Sequence, residues 1–223
     1  MGAVCAVLII VGQAFQEIAY RFYLPEGSSP IAAIQIRNLP LDRTRAVVLI
    51  FVIVCMFFFF AATAFDRVRR APGAAFVGFA SFLMFCLFEL WHRSIDFFLV
   101  SLRWAREYQA TDIESVKQVL VERMAQWDAV TSAIYFPLVL TAAIGATCFA
   151  LSMRGERGLP PRLALVAWTL DAVRLGVRTL GFAGIDALRA FSDEIYFPTI
   201  TVIYGLLAFW LWRCYRAPSC ANF

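Results

Sequence analysis

Three sets of ionisable side chains fall inside stretches that are otherwise apolar. Glu89, His92, Arg93 and Asp96 stand at i, i+3, i+4 and i+7 in one stretch. Asp171, Arg174 and Arg178 stand at i, i+3 and i+7 in a second, and Glu17 lies near the end of another. Residues spaced three, four and seven apart share a face of an α-helix. The chemistry open to such stripes is proton exchange and ion pairing. Glu89 beside His92 could take up and release a proton, because imidazole titrates near neutral pH. Glu89 with His92 or Asp171 could act as general acid and base in a dry pocket. Glu89, His92 and Asp171 are therefore the candidate catalytic residues. Glu17, Arg93, Asp96, Arg174 and Arg178 are the candidate ligand-binding or ion-pair residues.

The same residues have a plainer use. With Arg21 added, Glu17, Glu89, Asp96 and Asp171 balance Arg93, Arg174 and Arg178, so the set is neutral with no ion bound. A neutral set can be a structural network that holds helices together, and this is the simplest expectation. Against it, buried ion pairs stabilise poorly compared with apolar packing, and ionisable groups inside a membrane usually mark function. His92 is the single histidine, and no cysteine pair has CxxC spacing. No metal site or cofactor is expected from such a set. No Ser/His/Asp arrangement and no phosphate-cradling glycine loop is present either.

The elements that must position these residues are membrane helices. Hydrophobic residues make up 61% of the 223, and charged residues only 16%. A span needs roughly 20 mostly apolar residues, and six stretches qualify: 1–23, 45–65, 74–102, 128–153, 162–190 and 193–212. The fifth holds four charges between Asp171 and Asp186 and is the least apolar. The fold class expected is all-α: a polytopic membrane helix bundle of about six transmembrane helices forming one domain, 1–223. The loop 25–44 contains three prolines and cannot span. The segment 103–126 is too charged to span. In it, Thr111-Asp-Ile-Glu114 has the capping-box pattern, and Ile113, Val116, Leu120, Met124 and Trp127 follow at helical spacing. It predicts an amphipathic extramembrane helix, lying on the membrane or extending the fourth span outward. Cys5, Cys55, Cys86 and Cys148 lie in apolar runs, where a thiol is usually a small hydrophobe; Cys214 and Cys220 lie in the tail.

Nineteen of the 20 basic residues are arginine, Lys117 being the other, and they gather at the ends of apolar runs. They form no basic stripe for nucleic acid. The short basic turns after the second and fourth spans, with the basic tail, predict both termini in the cytoplasm of an inner (plasma) membrane. Trp210, Trp212 and Tyr215 would then mark the inner interface, and Trp104, Tyr108 and Trp127 the outer one. The Phe57–Phe60 run is expected to face lipid. At 1.5 Å per residue, Glu17, Glu89 and Arg178 reach one layer, roughly 22–24 Å up a core about 30 Å thick. The two stripes should face each other or a common cavity, with Glu17 beside them. Asp128, Asp193 and Glu194 read as helix N-terminal charges. A short echo, Ile134-Tyr-Phe-Pro137 and Ile195-Tyr-Phe-Pro198, opens the fourth and sixth spans, as if two hairpins were copies.

Three functions follow as expectations. The first is a small-solute or proton-linked carrier. The second is a membrane enzyme doing acid/base chemistry on a lipidic substrate. The third is a non-catalytic assembly or regulatory protein. The partners expected are the lipid bilayer and a small or lipidic ligand.

Overall fold

The computed structural model describes residues 1–24 and 29–216, and within these the chain is an all-α bundle with no strand. The helices are α1 (Gly2–Ile18), α2 (Pro30–Ile36), α3 (Pro40–Arg67), α4 (Pro72–Ile95), α5 (Ala105–Ala110), α6 (Glu114–Ser152), α7 (Leu159–Phe182), α8 (Asp186–Glu194) and α9 (Tyr196–Arg216). Two π-helical segments, Ala19–Tyr23 after α1 and Asp96–Trp104 after α4, continue their helices without a break. Five continuous helices are long and apolar enough to cross a membrane: 2–23, 40–67, 72–110, 114–152 and 196–214. The expected fifth span, α7, has 24 residues, about 36 Å at 1.5 Å per residue. Its charges keep it out of the apolar set, yet Ala164, Ala167 and Trp168 on it are fully buried among the other helices.

Proline starts three of the long helices. Pro40, Pro72 and the Pro160–Pro161 pair sit in first turns, where a missing N–H breaks no helical bond. The 25–44 loop holds the short helix α2, capped by Ser29, whose Oγ accepts from the Ala32 N–H at 3.2 Å. Pro25, Gly27 and Ser28 of that loop, the Tyr215 side chain and Cys220 lie outside the described residues.

The charged segment 103–126 is not a separate surface helix. Its first part continues α4 through the π segment into α5, and its second part is the start of α6. At 39 residues, α6 is about 58 Å long, nearly twice the thickness of a hydrocarbon core. The capping box does not form as expected. Thr111 Oγ1 accepts from the Ile113 N–H at 3.2 Å, and the helix begins at Glu114. The overhang has its own small core of Ile34, Val100, Ala105, Leu120 and Met124.

The main core is aromatic. Phe60 stacks on Phe82 at 3.7 Å between ring centroids, and Trp168 lies 4.9 Å from Phe149. This corrects the expectation that Phe57–Phe60 faces lipid: Phe59 and Phe60 are fully buried, and only Phe58 is exposed. A continuous apolar run offers both faces of a helix, and the bundle takes one of them. Trp210 is likewise buried while Trp212 is exposed. Trp104, Tyr108 and Trp127 are half-buried against the overhang.

At the far end of the bundle, the turns after α3 and α6 are clamped together. Buried Arg67 donates to the Ser152 carbonyl at 2.7 Å and to Glu156 at 2.8 Å, and Arg70 donates to Glu156 at 2.6 Å. Burial pushes the Glu156 carboxyl up, but hydrogen bonds and charge from Arg67 and Arg70 outweigh it and hold it below its ordinary value.

The span expected to end at Ala190 ends at Phe182. Gly184 follows with φ +107°, a conformation open to glycine, and the chain folds back as α8. At Gly181 a Cβ would lie 2.9 Å from the Arg189 backbone, so glycine there permits α8 to lie against α7.

Candidate functional site

Between α1, α3, α4, α6, α7 and α9 lies a cavity of about 630 Å3. Its polar and apolar residues separate along the helix axes. On α3 the lining runs from Arg45 through Leu49, Ile53 and Met56 to Phe60. That is 15 residues, about 22 Å along the axis. On α4 it runs from Arg93 and Glu89 down to Phe85 and Phe82, and on α7 from Arg178 and Arg174 to Asp171. On α3 and α4 the charges therefore collect at the end of the bundle that carries α2 and α8 and the opposite end is aromatic and aliphatic, while α7 brings the Asp171–Arg174 pair to within a turn of Trp168.

Helical spacing explains which charges reach the cavity. Glu89 and Arg93 are four residues apart and both line it. Arg93 Nε donates to Glu89 Oε1 at 2.8 Å, and Arg93 Nη2 donates to the Tyr135 hydroxyl at 2.9 Å. Glu89 Oε2 is buried with no hydrogen-bond partner. On α7, Arg174 donates to Asp171 Oδ1 through Nε at 3.1 Å and Nη2 at 2.7 Å. Arg178 reaches outward to Asp193 on α8, with Nη2 3.2 Å from Oδ1. Among the described residues, no ion pair joins the α4 stripe to the α7 stripe. Glu89 and Asp171 are each held by an arginine of their own helix, and the two stripes border a common space.

His92 and Asp96 point elsewhere. Three residues turn a helix by about 300° and four by about 400°, so His92 and Arg93 flank Glu89 on opposite sides. The His92 ring lies between α4 and α6, stacked on Trp127 at 5.7 Å, with Nε2 3.3 Å from the Thr131 hydroxyl. Asp96 pairs with Arg37 at 2.9 Å and accepts from Trp127 Nε1 at 2.9 Å. Burial pushes the Arg37 guanidinium down, and the carboxylates of Asp96 and Asp42 outweigh this and raise it. That group ties the loop before α3 to α4 and α6, away from the cavity. Glu17 pairs with exposed Arg21 and does not line the cavity. Asp128 lies within α6, and Asp193 and Glu194 close α8 directly before α9 begins at Tyr196.

Several cavity residues were not singled out from the sequence. On α1 and the π segment that continues it the lining is Gln13, Gln16 and Tyr20, at i, i+3 and i+7. That spacing of polar side chains in an apolar helix was a usable signal. Arg45, held by Asp42 at 2.6 Å, lies 4.5 Å from the Tyr20 ring. The two tyrosines of the Ile-Tyr-Phe-Pro echo both line the cavity. Tyr135 takes the Arg93 hydrogen bond, and the Tyr196 ring lies 5.6 Å from the Arg174 guanidinium and 5.0 Å from that of Arg178. Tyr135 thus meets an arginine of α4 and Tyr196 two of α7.

Among the described residues, no three His, Cys, Asp or Glu side chains converge in a way that could hold a metal ion. What the arrangement offers is an amphiphilic space with a free carboxylate oxygen and several guanidinium donors toward one end. No family model, curated protein or solved structure matches the chain.

Proposed function

We propose that this membrane protein is a proton-linked carrier of a single-chain amphiphile. On this proposal α7 is a sixth span, both termini are cytoplasmic and the charged end of the cavity lies in the outer half of the membrane. The observation that carries it is the polarity gradient of the 630 Å3 cavity along α3 and α4, charged at one end and apolar at the other, with the Asp171–Arg174 pair facing it from α7. Sites for small ligands occupy about 300–1,000 Å3. A polar head would sit among Arg93, Arg174 and Arg178, and a chain would run toward Phe60 and Phe82. Glu89 is the proton-exchanging group, since one of its oxygens is buried, unpartnered and beside the cavity.

The test is proton movement into proteoliposomes carrying an internal pH dye, on addition of sodium decanesulfonate or decyl glucoside. Uptake coupled to proton entry, above that of protein-free vesicles, is the expected result. No proton movement with either probe would refute carriage.

A second reading is favoured by one specific feature. Glu89 and Asp171 line the same cavity, and the buried rings of Phe59, Phe60, Phe82 and Trp168 close the space below it. Two carboxylates over a closed floor also suit acid/base chemistry on a lipidic substrate. A mass change in membrane lipid incubated with the protein, without flux, would select this reading.

A further inference from the structure

We infer that the head of the bound amphiphile carries a single negative charge and is captured by Arg178 in place of Asp193. This rests on the proposal that the cavity holds an amphiphile, and it names the class of head. Lipid tails are as apolar as leucine, so the apolar wall does little to draw a chain already dissolved in the bilayer. Selection must come from the charged end.

Four arginines line that end, and three are matched by carboxylates that water scarcely reaches. The carboxylate side chains facing Arg45, Arg174 and Arg93 are 1%, 2% and 12% exposed. Asp193, which faces Arg178, is 58% exposed. Of the four, it is the one that can leave its arginine for water at little cost. Arg178 is also incompletely satisfied, because its Nη1 is buried with no hydrogen-bond partner. Its guanidinium lies between two rings, 5.0 Å from Tyr196 and 5.8 Å from Phe182, which hold the planar donor fork in place while it changes acceptor. The exchange is one anion for one anion: a carboxylate or sulfonate head bonds to Arg178, and Asp193 turns to solvent with α8. A dianionic head would leave this end with excess negative charge, and an uncharged head would leave Arg178 unmatched or Asp193 in place.

Equilibrium binding of radiolabelled dodecanoate, dodecanol and dodecyl phosphate to the full chain in nanodiscs tests this at pH 8, with empty nanodiscs as the blank. Charge-assisted hydrogen bonds give roughly tenfold or more in favour of dodecanoate over dodecanol. Arg178→Gln should erase that preference without weakening dodecanol. Asp193→Asn, which leaves Arg178 in place and removes its competitor, should tighten dodecanoate severalfold and leave dodecanol unchanged. Equal binding of acid and alcohol by the unaltered protein, or tighter binding of the dianionic phosphate, would overturn the assignment while the amphiphile site stands. Asp193→Asn without effect on dodecanoate would overturn it as well. Binding of none of the three would remove the amphiphile site and this inference together.

Discussion

Glu89→Gln separates a working carboxylate from a structural one. Arg93 places both Nε and Nη2 at 2.8 Å from Glu89 Oε1. Glutamine keeps an acceptor oxygen, so the contacts survive and lose their charge. Hydrogen bonds to charged groups contribute roughly 1.5–3 kcal/mol and neutral ones about 1. The Tyr135 hydroxyl still accepts from Arg93, so the expected loss is at the low end, about 1–2 kcal/mol. For a chain of this length that corresponds to a fall in Tm of roughly 2–8 °C. The protein should therefore still fold, and its binding can be measured. The assay is the affinity for dodecanesulfonate, whose head stays charged at every pH used, in nanodiscs from pH 5 to 8. If Glu89 exchanges a proton when ligand enters, log Kd varies with pH in the unaltered protein and becomes flat in Glu89→Gln. Glu89→Asp, which retains a carboxylate, should keep the dependence. A Glu89→Gln protein that loses stability as expected but keeps the pH dependence would refute the role of Glu89 as the proton carrier. The Glu89–Arg93 pair would then be a helix-stabilising contact.

Other consequences follow from the remaining ion pairs and close contacts. Glu156 is held below its ordinary value of 4.5, so its contribution to stability is complete above that pH and is lost as pH falls through the lower, folded value. Thermal unfolding should show this loss below about pH 4.5, and Glu156→Gln should flatten it. Glu156→Ala should cost about 1–3 kcal/mol in the same measurement, because the fully buried Arg67 loses one acceptor and keeps the Ser152 carbonyl and the Asp66 carboxylate. Gly181→Ala places a methyl group 2.9 Å from the Arg189 backbone. It should cost about 1–3 kcal/mol as overpacking, and cross-linking between cysteines placed at 178 and 193 should fall as α8 moves away. Phe82→Ala removes a ring stacked on Phe60 and Phe149. It should lower stability by about 3–5 kcal/mol and leave the preference for acid over alcohol intact, measured in the same binding assay.

The bundle was legible because its cause is simple. A hydrocarbon solvent admits only helices and closed barrels, whose backbone bonds are satisfied internally, and apolar runs of helical length announce the former. The stripes on α4 and α7 were legible for the same reason: charges spaced three, four and seven apart must share a face and must avoid lipid. Where a stripe points within that protected arc was not legible. A stripe from i to i+7 covers about 100° of helix, wide enough to touch two neighbours. On α4 the arc is divided, with Glu89 and Arg93 on the cavity and His92 and Asp96 against Trp127 and Arg37. The sequence also could not pair carboxylates with arginines across loops. Arg178 meets Asp193 only because Gly184 follows the helix end and Gly181 lets α8 lie back along it, so the partner of a charge in one helix was decided by two glycines at its end. That dependence has a functional side. The pairs within α4 and within α7 are three or four residues apart on one helix, so their backbones stay at a fixed separation and only side-chain rotation parts them. The Arg178–Asp193 pair joins two elements across a glycine turn. Of the ion pairs at the cavity, it is the one that a shift of one helix against another would also part.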